Sequence, residues 1–157
     1  MVAQRINLAE HDATAGVNSF KNYGPANVSA GFTITDIRVK GSIAYPPLTT
    51  TVGITLEHFL QYGIQHGATG YTATTPEAIT APGPEWLQFE STRVSGLAVV
   101  TLHNTPGSDE TANTQVDLNW RGQLLTPAGT DVYFSIGRIF NASINWYFQG
   151  SMVITYG

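Results

Sequence analysis

Four histidines are the residues of this sequence best suited to bind a metal or move a proton: His11, His58, His66 and His103. Histidine metal sites use pairs at short spacing, such as i, i+2 on a strand or i, i+4 on a helix. None of the four has a histidine partner at such a spacing. The run Glu10-His11-Asp12 leaves a weak metal site open, but a solvated turn is the favoured interpretation. We therefore predict no metal centre. The absence of cysteine also excludes thiolate chemistry.

Carboxylates are the second group that could do chemistry, because glycoside hydrolysis needs two that converge on one bond. Glu57 and Asp117 stand on the polar side of predicted strands, where pairing with a residue of the next strand is the ordinary role. No Gly-x-Ser-x-Gly nucleophile motif and no phosphate-binding glycine loop occurs in the sequence. We therefore expect that the protein is not an enzyme and uses no cofactor.

Carbohydrate binding is the third chemistry that the sequence leaves open. Sugar sites stack rings on aromatic side chains and bond hydroxyl groups with carboxylates and amides. Tyr71 and Trp86 flank the long segment that runs from His66 to Glu85. Tyr71, Glu85 and Trp86 therefore form a candidate ligand loop. The competing interpretation, which we favour for Trp86, is that its ring anchors the strand that follows.

The elements that would position these residues are strands, because apolar and polar residues alternate over most of the chain. Even positions from 52 to 64 are apolar except His58, and the same pattern runs from 144 to 156. A change of phase at Thr35-Asp36 indicates a β-bulge. The eight prolines fall between the predicted strands, where no sheet hydrogen bond requires the N–H group that proline lacks.

No window of the sequence has a convincing helical period, so an all-β fold with almost no helix is predicted. Eight or so strands separated by Gly, Pro and Asn turns are typical of a two-sheet sandwich or a barrel. Long strands joined by substantial loops favour an antiparallel two-sheet sandwich with eight strands, the jelly roll. We assign this domain to residues 31–157, preceded by an N-terminal strand and arm segment over residues 1–30.

Charge is scarce in this sequence. Lys and Arg number 7 and Asp and Glu number 11 among 157 residues, which is 11%, where ordinary domains carry about 25%. A neutral surface rich in threonine has little charge to keep copies apart, so we expect self-assembly. The alternative is a secreted or thermotolerant β-protein with a neutral surface.

The N-terminal segment holds the residues that we assign to an oligomer interface. They are apolar and lie in residues 9–30 without a strand period, so docking on a neighbouring subunit would remove them from water. These residues are Val17, Phe20, Tyr23 and Val28.

Three other classes of partner or location are disfavoured. The net charge of −4 and the dispersed cations disfavour nucleic acid. No apolar stretch approaches the roughly 20 residues that span a bilayer. The N-terminus has no apolar core of a secretion signal. We therefore expect no nucleic acid, no membrane and no secretion signal.

The two long alternations, the proline-marked turns and the strand that ends at Gly157 resemble the single jelly-roll proteins of virus particles. Phage head decoration proteins and small capsid proteins belong to this class. The resemblance is one of architecture over residues 31–157 and transfers no site residues. It implies a virion structural protein that forms a homo-oligomer and binds major capsid or other virion proteins. We expect the oligomer to be, most simply, a trimer or a larger capsid ring, with residues 9–30 at its contacts.

One departure from that class concerns the N-terminus, since many RNA virus coats carry a basic arm there. Residues 1–30 hold Arg5 and Lys21 against Glu10 and Asp12. This balance favours the outer shell of a virion, as a capsid or decoration protein, over contact with the genome. The alternative function is a carbohydrate- or receptor-binding β-sandwich, either a phage fibre or a lectin-like module.

Overall fold

The computed structural model describes residues 1–8, 10–12, 18–45, 54–67, 84–98, 112–139 and 146–157. Within these ranges the chain forms nine strands and no helix, and so no helix that could cross a membrane. The strands are β1 (Val2–Asn7), β2 (Glu10–Asp12), β3 (Asn18–Val28), β4 (Phe32–Tyr45), β5 (Ile54–His66), β6 (Trp86–Ala98), β7 (Ala112–Thr126), β8 (Thr130–Ile139) and β9 (Trp146–Tyr156).

The eight long strands pair in a nested order. The outermost pair is β1 with β9, followed inward by β3 with β8, β4 with β7 and β5 with β6, all antiparallel. Two further pairings, β4 with β9 and β5 with β8, assemble sheet A in the order β1-β9-β4-β7 and sheet B in the order β3-β8-β5-β6. This is one long hairpin rolled over itself, which is the jelly-roll topology. The short β2 also pairs with β9. The predicted all-β sandwich is confirmed.

The core lies between the two sheets and is filled by the inward-facing side chains predicted from the alternation. Three rings meet at its centre: Phe148 from sheet A, and Tyr23 and Phe134 from sheet B. The Phe148 ring centroid lies 5.0 Å from that of Tyr23 and 5.0 Å from that of Phe134. All three side chains are buried. Because rings from both sheets interlock, neither sheet can shift without opening the core.

The predicted bulge in β4 is present. The register of β4 shifts between Ile34 and Asp36 against both of its neighbours. Ile34 and Ile37 are nevertheless both buried, so the extra residue returns the second half of the strand to the inward phase.

A second bulge lies in β3, between Tyr23 and Ala26. It contains Gly24, at φ +126°, and Pro25, joined by a cis peptide bond. Pro25 thus lies within a strand, and the prediction that every proline falls between strands is wrong. Proline is accommodated because β3 is the edge strand of sheet B and the bulge leaves the residue outside the ladder.

The first thirty residues contribute strands to both sheets, since β1 is an edge of sheet A and β3 an edge of sheet B. Tyr23 is 3% exposed and Val28 0%. The expectation that these two residues lack a place in the chain's own core is therefore wrong, and they are not available to a neighbour. Phe20 belongs to β3, where its backbone pairs with Gly137. Val17 lies outside the described residues.

Two tight turns close one end of the sandwich, between β3 and β4 and between β7 and β8. Gly31 (φ +86°) and Gly129 (φ +80°) supply the left-handed backbone that these turns require. The buried Thr126 joins the turns: its carbonyl oxygen accepts from both glycine N–H groups, at 2.9 and 3.1 Å. Its Oγ1 donates to the Phe32 carbonyl at 2.9 Å. The turn predicted from Thr126-Pro127-Ala128-Gly129 is confirmed.

Candidate interaction surfaces

The described part of the outer face of sheet B is largely buried. Gln65 is 2% exposed and Ser135 0%, although both side chains point away from the core. They form a polar cluster with Asn22: Ser135 Oγ donates to Asn22 Oδ1 at 2.6 Å, and Gln65 Nε2 donates to both residues. A covered face of this kind does not offer a binding surface.

The indole ring of Trp86 lies on this same face, over Gly63. A Cβ built on Gly63 would be 2.8 Å from two ring atoms of Trp86. The ring also meets Phe89 edge-on, with centroids 5.6 Å apart. Trp86 is 9% exposed and is the first residue of β6. The structure agrees with its role as an anchor of that strand, and the ring is not open to stack on a sugar.

The rest of the candidate ligand loop is not assembled by the described residues. Glu85 is exposed in the turn before β6, where its carbonyl oxygen accepts from the His66 N–H at 2.9 Å. Tyr71 lies outside the described residues. The ligand loop stays a prediction that rests on Tyr71 and Glu85.

The outer face of sheet A is open, in contrast to that of sheet B. Its exposed members alternate with buried or partly buried residues along three strands. They are Ala3, Arg5 and Asn7 on β1, Arg38 and Lys40 on β4, and Gln115, Asp117, Asn119, Arg121, Gln123 and Leu125 on β7. We call this surface the open face.

Two ion-pair groups lie on the open face. Arg38 Nε donates to Asp36 Oδ2 at 3.0 Å, and Arg121 Nε donates to Asp36 Oδ1 at 3.2 Å. Lys40 Nζ lies 3.7 Å from Asp117 Oδ2, in the cross-strand pairing predicted for Asp117. The side chains of Arg38 and Arg121 are 49% and 68% exposed. Exposed ion pairs of this kind stabilise a fold by about 0–1 kcal/mol. These charges therefore contribute little to the stability of the protein and have more influence on which partners the open face can bind.

The open face is positive within an acidic protein. Of the charged side chains that the structure describes, it holds four of the five cations (Arg5, Arg38, Lys40, Arg121) and two of the five acids (Asp36, Asp117). The other described charged side chains are Lys21, Glu85, Glu90 and Asp131. The sequence shows the scarcity of charge, but the strand register is needed to show that the cations share a face.

An apolar corner adjoins the open face where β1 and β4 begin and β7 and β9 end. It consists of Met1, Val2, Phe32 and Leu125, the exposed large apolar residues among those described. The Phe32 ring packs edge-on against Tyr156, with centroids 5.3 Å apart. Val2 and Phe32 lie on the inner side of sheet A and Leu125 on its outer side, all at the same end of the sheet. Exposed apolar groups of this kind are candidates for contact with another protein.

The histidines do not converge among the described residues. His66 closes β5, with Nδ1 3.4 Å from Thr130 Oγ1. His11 belongs to β2 and His58 to β5, while His103 lies outside the described residues. The expected turn at Glu10-His11-Asp12 is instead the strand β2. The described part of the chain contains no group of three His, Asp or Glu residues that could hold a metal.

One buried tyrosine has a strongly shifted acidity. Tyr62 is 5% exposed, and its hydroxyl donates to Glu90 Oε2 at 3.0 Å. Burial, followed by the hydrogen bond and charge of Glu90, raises the pKa of Tyr62 to about 12. The phenol keeps its proton at neutral pH, and the pair links β5 to β6.

A polar cleft of about 320 Å³ lies at the turn end of the sandwich. It is lined by both tight turns and by Asn27 and Asp131, whose side chains are joined by a 2.7 Å hydrogen bond from Asn27 Nδ2 to Asp131 Oδ1. Amide and carboxylate groups suit sugar hydroxyls. The described lining contains no aromatic ring for stacking.

No family model matches the sequence, and no curated protein matches it. Among solved structures, the chain is similar to one in the structure of infectious bursal disease virus Gx strain, at 13% identity and a TM-score of 0.38. It is also similar to the infectious bursal disease virus VP2 subviral particle, at 12% identity and a TM-score of 0.39.

These structural neighbours are viral capsid proteins. The match covers 98% of this chain and 31–32% of theirs, so the chain spans about a third of the length of the proteins it matches. With TM-scores below 0.5, these likenesses assign no function to the chain.

Proposed function

We propose that the protein is a structural component of a virus particle, a homo-oligomeric jelly-roll protein that binds a capsid lattice. It would serve as a small capsid protein or as a decoration protein of the outer shell. Its partners would be further copies of itself and other virion proteins.

The observation that carries this proposal is the nested strand pairing of a jelly roll in which one sheet face is covered and the other is open. Jelly rolls are used repeatedly in viral capsids and also in lectins. A fold alone supports a function by analogy. The open face and the apolar corner add a surface that a neighbouring protein can cover.

The composition supports the same proposal. A chain with 11% charged residues and a net charge of −4 has weak repulsion between copies. Covering the apolar corner would contribute about 25 cal/mol per Å² of apolar surface removed from water. Association costs must be subtracted from this gain, so several contacts per subunit are needed for a stable lattice.

A carbohydrate- or receptor-binding module remains the second candidate, and the polar cleft at Asn27 and Asp131 is the observation in its favour. The buried position of Trp86 counts against the loop that the sequence suggested for it. A cleft without an aromatic ring would bind sugars weakly, by hydrogen bonds alone.

Sedimentation velocity of the purified chain from micromolar to submillimolar concentration tests the proposal. We expect a concentration-dependent oligomer. A monomer at every concentration, together with binding on a glycan array, would contradict the structural role and support the ligand-binding one. Failure of the chain to bind the capsid of its own virus would exclude the lattice role.

A further inference from the structure

We propose that β7 pairs edge to edge with β7 of a second copy of the chain, antiparallel and about a two-fold axis at Asn119. The two copies of sheet A would then form one continuous sheet. This inference rests on the proposed homo-oligomeric function and identifies a contact that would serve it. It is supported by the exposed backbone of β7 and by the self-complementary order of the residues along that strand.

β7 is a sheet edge among the described strands, since it ends the order β1-β9-β4-β7. Its 15 residues make it the longest of the four strands that end the two sheet orders. Its register with β4 is regular from Ala112 to Arg121. Gly122 is exposed, and because glycine has no side chain, the exposed atoms are backbone. An edge with accessible N–H and C=O groups is a template for another strand.

Edge strands usually carry a feature that prevents such pairing, for example a lysine, a proline or a bulge. β3 has the bulge at Gly24-Pro25, and β1 has six residues. The sequence of β7 contains neither lysine nor proline. The strand is therefore well suited to accept a partner along its edge.

Two-fold symmetry restricts the register of the pairing. In an antiparallel pair, two opposed residues direct their backbone groups alike, either both toward the partner strand or both away from it. Because the two strands are copies of β7, opposed positions must both be odd or both be even. In β6 the acid and the arginine are at positions 90 and 93, so this rule excludes an ion pair between two copies of that strand.

One register of β7 opposes each of its charges to an opposite charge. With the axis at Asn119, Asp117 of one copy opposes Arg121 of the other, and the reverse pair forms by symmetry. Directly opposed side chains have Cβ atoms about 4.5–5.5 Å apart, which is within reach of an ion pair. Moving the axis by one residue opposes Asp117 to Asn119 or to Gln123 and leaves no charge pair.

The partners of Asp117 and Arg121 within the chain are compatible with this register. Both side chains are exposed on the open face. Arg121 donates to Asp36 through Nε, and a guanidinium has five N–H donors, so it can bind a second carboxylate. Asp117 approaches Lys40 through Oδ2, which leaves Oδ1 for the second copy. The contact would join the two intrachain pairs into a row of alternating charges across the axis.

The inner side of the same edge adds an apolar contact. In this register Trp120 opposes Leu118 of the second copy. Trp120 is partly exposed, and its ring lies beside Gly122, where a built Cβ would be 2.7 Å from Trp120 Cζ2. Since opposed side chains on neighbouring strands are in contact distance, the second copy would cover part of the ring and remove apolar surface from water.

Charge exchange tests the register. Asp117→Arg would oppose arginine to arginine across the axis, and Arg121→Asp would oppose aspartate to aspartate. We expect each variant alone to associate about tenfold more weakly than the parent chain, and an equimolar mixture of the two to recover the parent's association. Arg5→Asp, on β1 at the other edge of sheet A, is the matched control and should behave like the parent. Sedimentation velocity measures association, and thermal melting confirms folding.

A crosslink locates the axis independently of charge. The chain contains no cysteine, so Asn119→Cys introduces one thiol per copy, and the two thiols would meet at the axis. The control is Gln115→Cys, on the same face of the same strand. Its two copies would be eight residues apart along the joined strands, or about 27 Å. A short bismaleimide should therefore link Asn119→Cys into dimers on a denaturing gel and leave Gln115→Cys monomeric.

The outcomes separate this inference from the proposed function. If the parent chain associates while both charge variants associate equally well and no crosslink forms at position 119, the inference is wrong and the proposed function stands. Equal crosslinking at positions 115 and 119 would also contradict the inference, because it would show contact without the proposed register. A parent chain that stays monomeric, with no crosslink at position 119, overturns both.

Discussion

Gly41 and Gly150 face each other across β4 and β9, beneath the ring of Phe148. They are direct partners in the register of sheet A. A Cβ built on Gly41 would lie 2.8 Å from Phe148 Cε2, and one built on Gly150 would lie 2.8 Å from Phe148 Cζ. The two glycines therefore leave the space in which a core ring lies against the sheet.

We predict that Gly150→Ala destabilises the protein by about 2 kcal/mol or more, because overpacking typically costs 1–3 kcal/mol. The added methyl group would also overlap the Lys40 carbonyl oxygen, which is backbone and cannot rotate away. Chemical denaturation measures the loss. The control is Gly157→Ala, where the nearest atom to a built Cβ is at an ordinary 3.5 Å. Equal stability of the two variants would contradict the role assigned to the glycine pair.

The glycines also show where the sequence misleads. Gly63 and Gly150 are expected to bend or break their strands, since glycine weakens a strand interior. Both β5 and β9 run through them. The reason is an aromatic ring over each glycine, Trp86 over Gly63 and Phe148 over Gly150. The cross-strand neighbour that makes a glycine useful is distant in sequence and cannot be found by periodicity.

Ser135→Ala should destabilise the protein by about 1–3 kcal/mol, which is the cost of leaving buried partners unsatisfied. Ser135 joins Asn22 and Gln65 on the covered face of sheet B. The comparison is Ser151→Ala, on the outer side of β9, where we expect a change within about 0.5 kcal/mol. A Ser135→Ala protein as stable as the parent would show that the cluster contributes no net free energy.

Stability should fall in alkaline solution through Tyr62. Its pKa is about 12 in the folded chain against 10.0 for the free side chain. Between these values the unfolded state releases the proton while the folded state keeps it, so the free energy of unfolding decreases as the pH rises. Below about pH 10 the contribution is fully present.

Denaturation curves of the parent and of Tyr62→Phe across this range measure the effect. The variant lacks the titrating group, so its stability should decline less steeply between about pH 10 and 12. Parallel curves would mean that Tyr62 titrates normally in the folded state.

Residues 1–30 should be required for folding. A chain of residues 31–157 lacks the edge strands β1 and β3, and with them the buried Leu8, which follows β1, and the buried Tyr23 and Val28 of β3. Tyr23→Ala alone should cost about 3–5 kcal/mol, as for other large aromatic side chains. Asn7→Ala, at an exposed position on β1, is the control. A truncated chain that melts cooperatively would restore the interpretation of this segment as a removable arm.

The sequence predicts the antiparallel β-sandwich and its core residues more fully than it predicts the surface. Alternation identifies β5, β7, β8 and β9, and the phase change at Thr35-Asp36 marks the bulge of β4. Alternation does not identify β3, because Gly24-Pro25 interrupts the alternation of apolar and polar residues inside that strand. The open face cannot be predicted from the sequence pattern. Arg5 and Arg38 are 33 residues apart in the chain, and the antiparallel register of β9 brings them to the same surface.

The nested strand order also governs when the protein can acquire its structure. Val2 pairs with Tyr156 and Ile34 pairs with the same tyrosine, so β9, an interior strand of sheet A, is the last of the nine described strands to be synthesised. Until β9 leaves the ribosome, β1 has no partner and β4 lacks one of its two neighbours. Pairings between such distant segments make folding slow, on the scale of milliseconds to seconds. A nascent chain of this design remains open to chaperones until β9 has been synthesised.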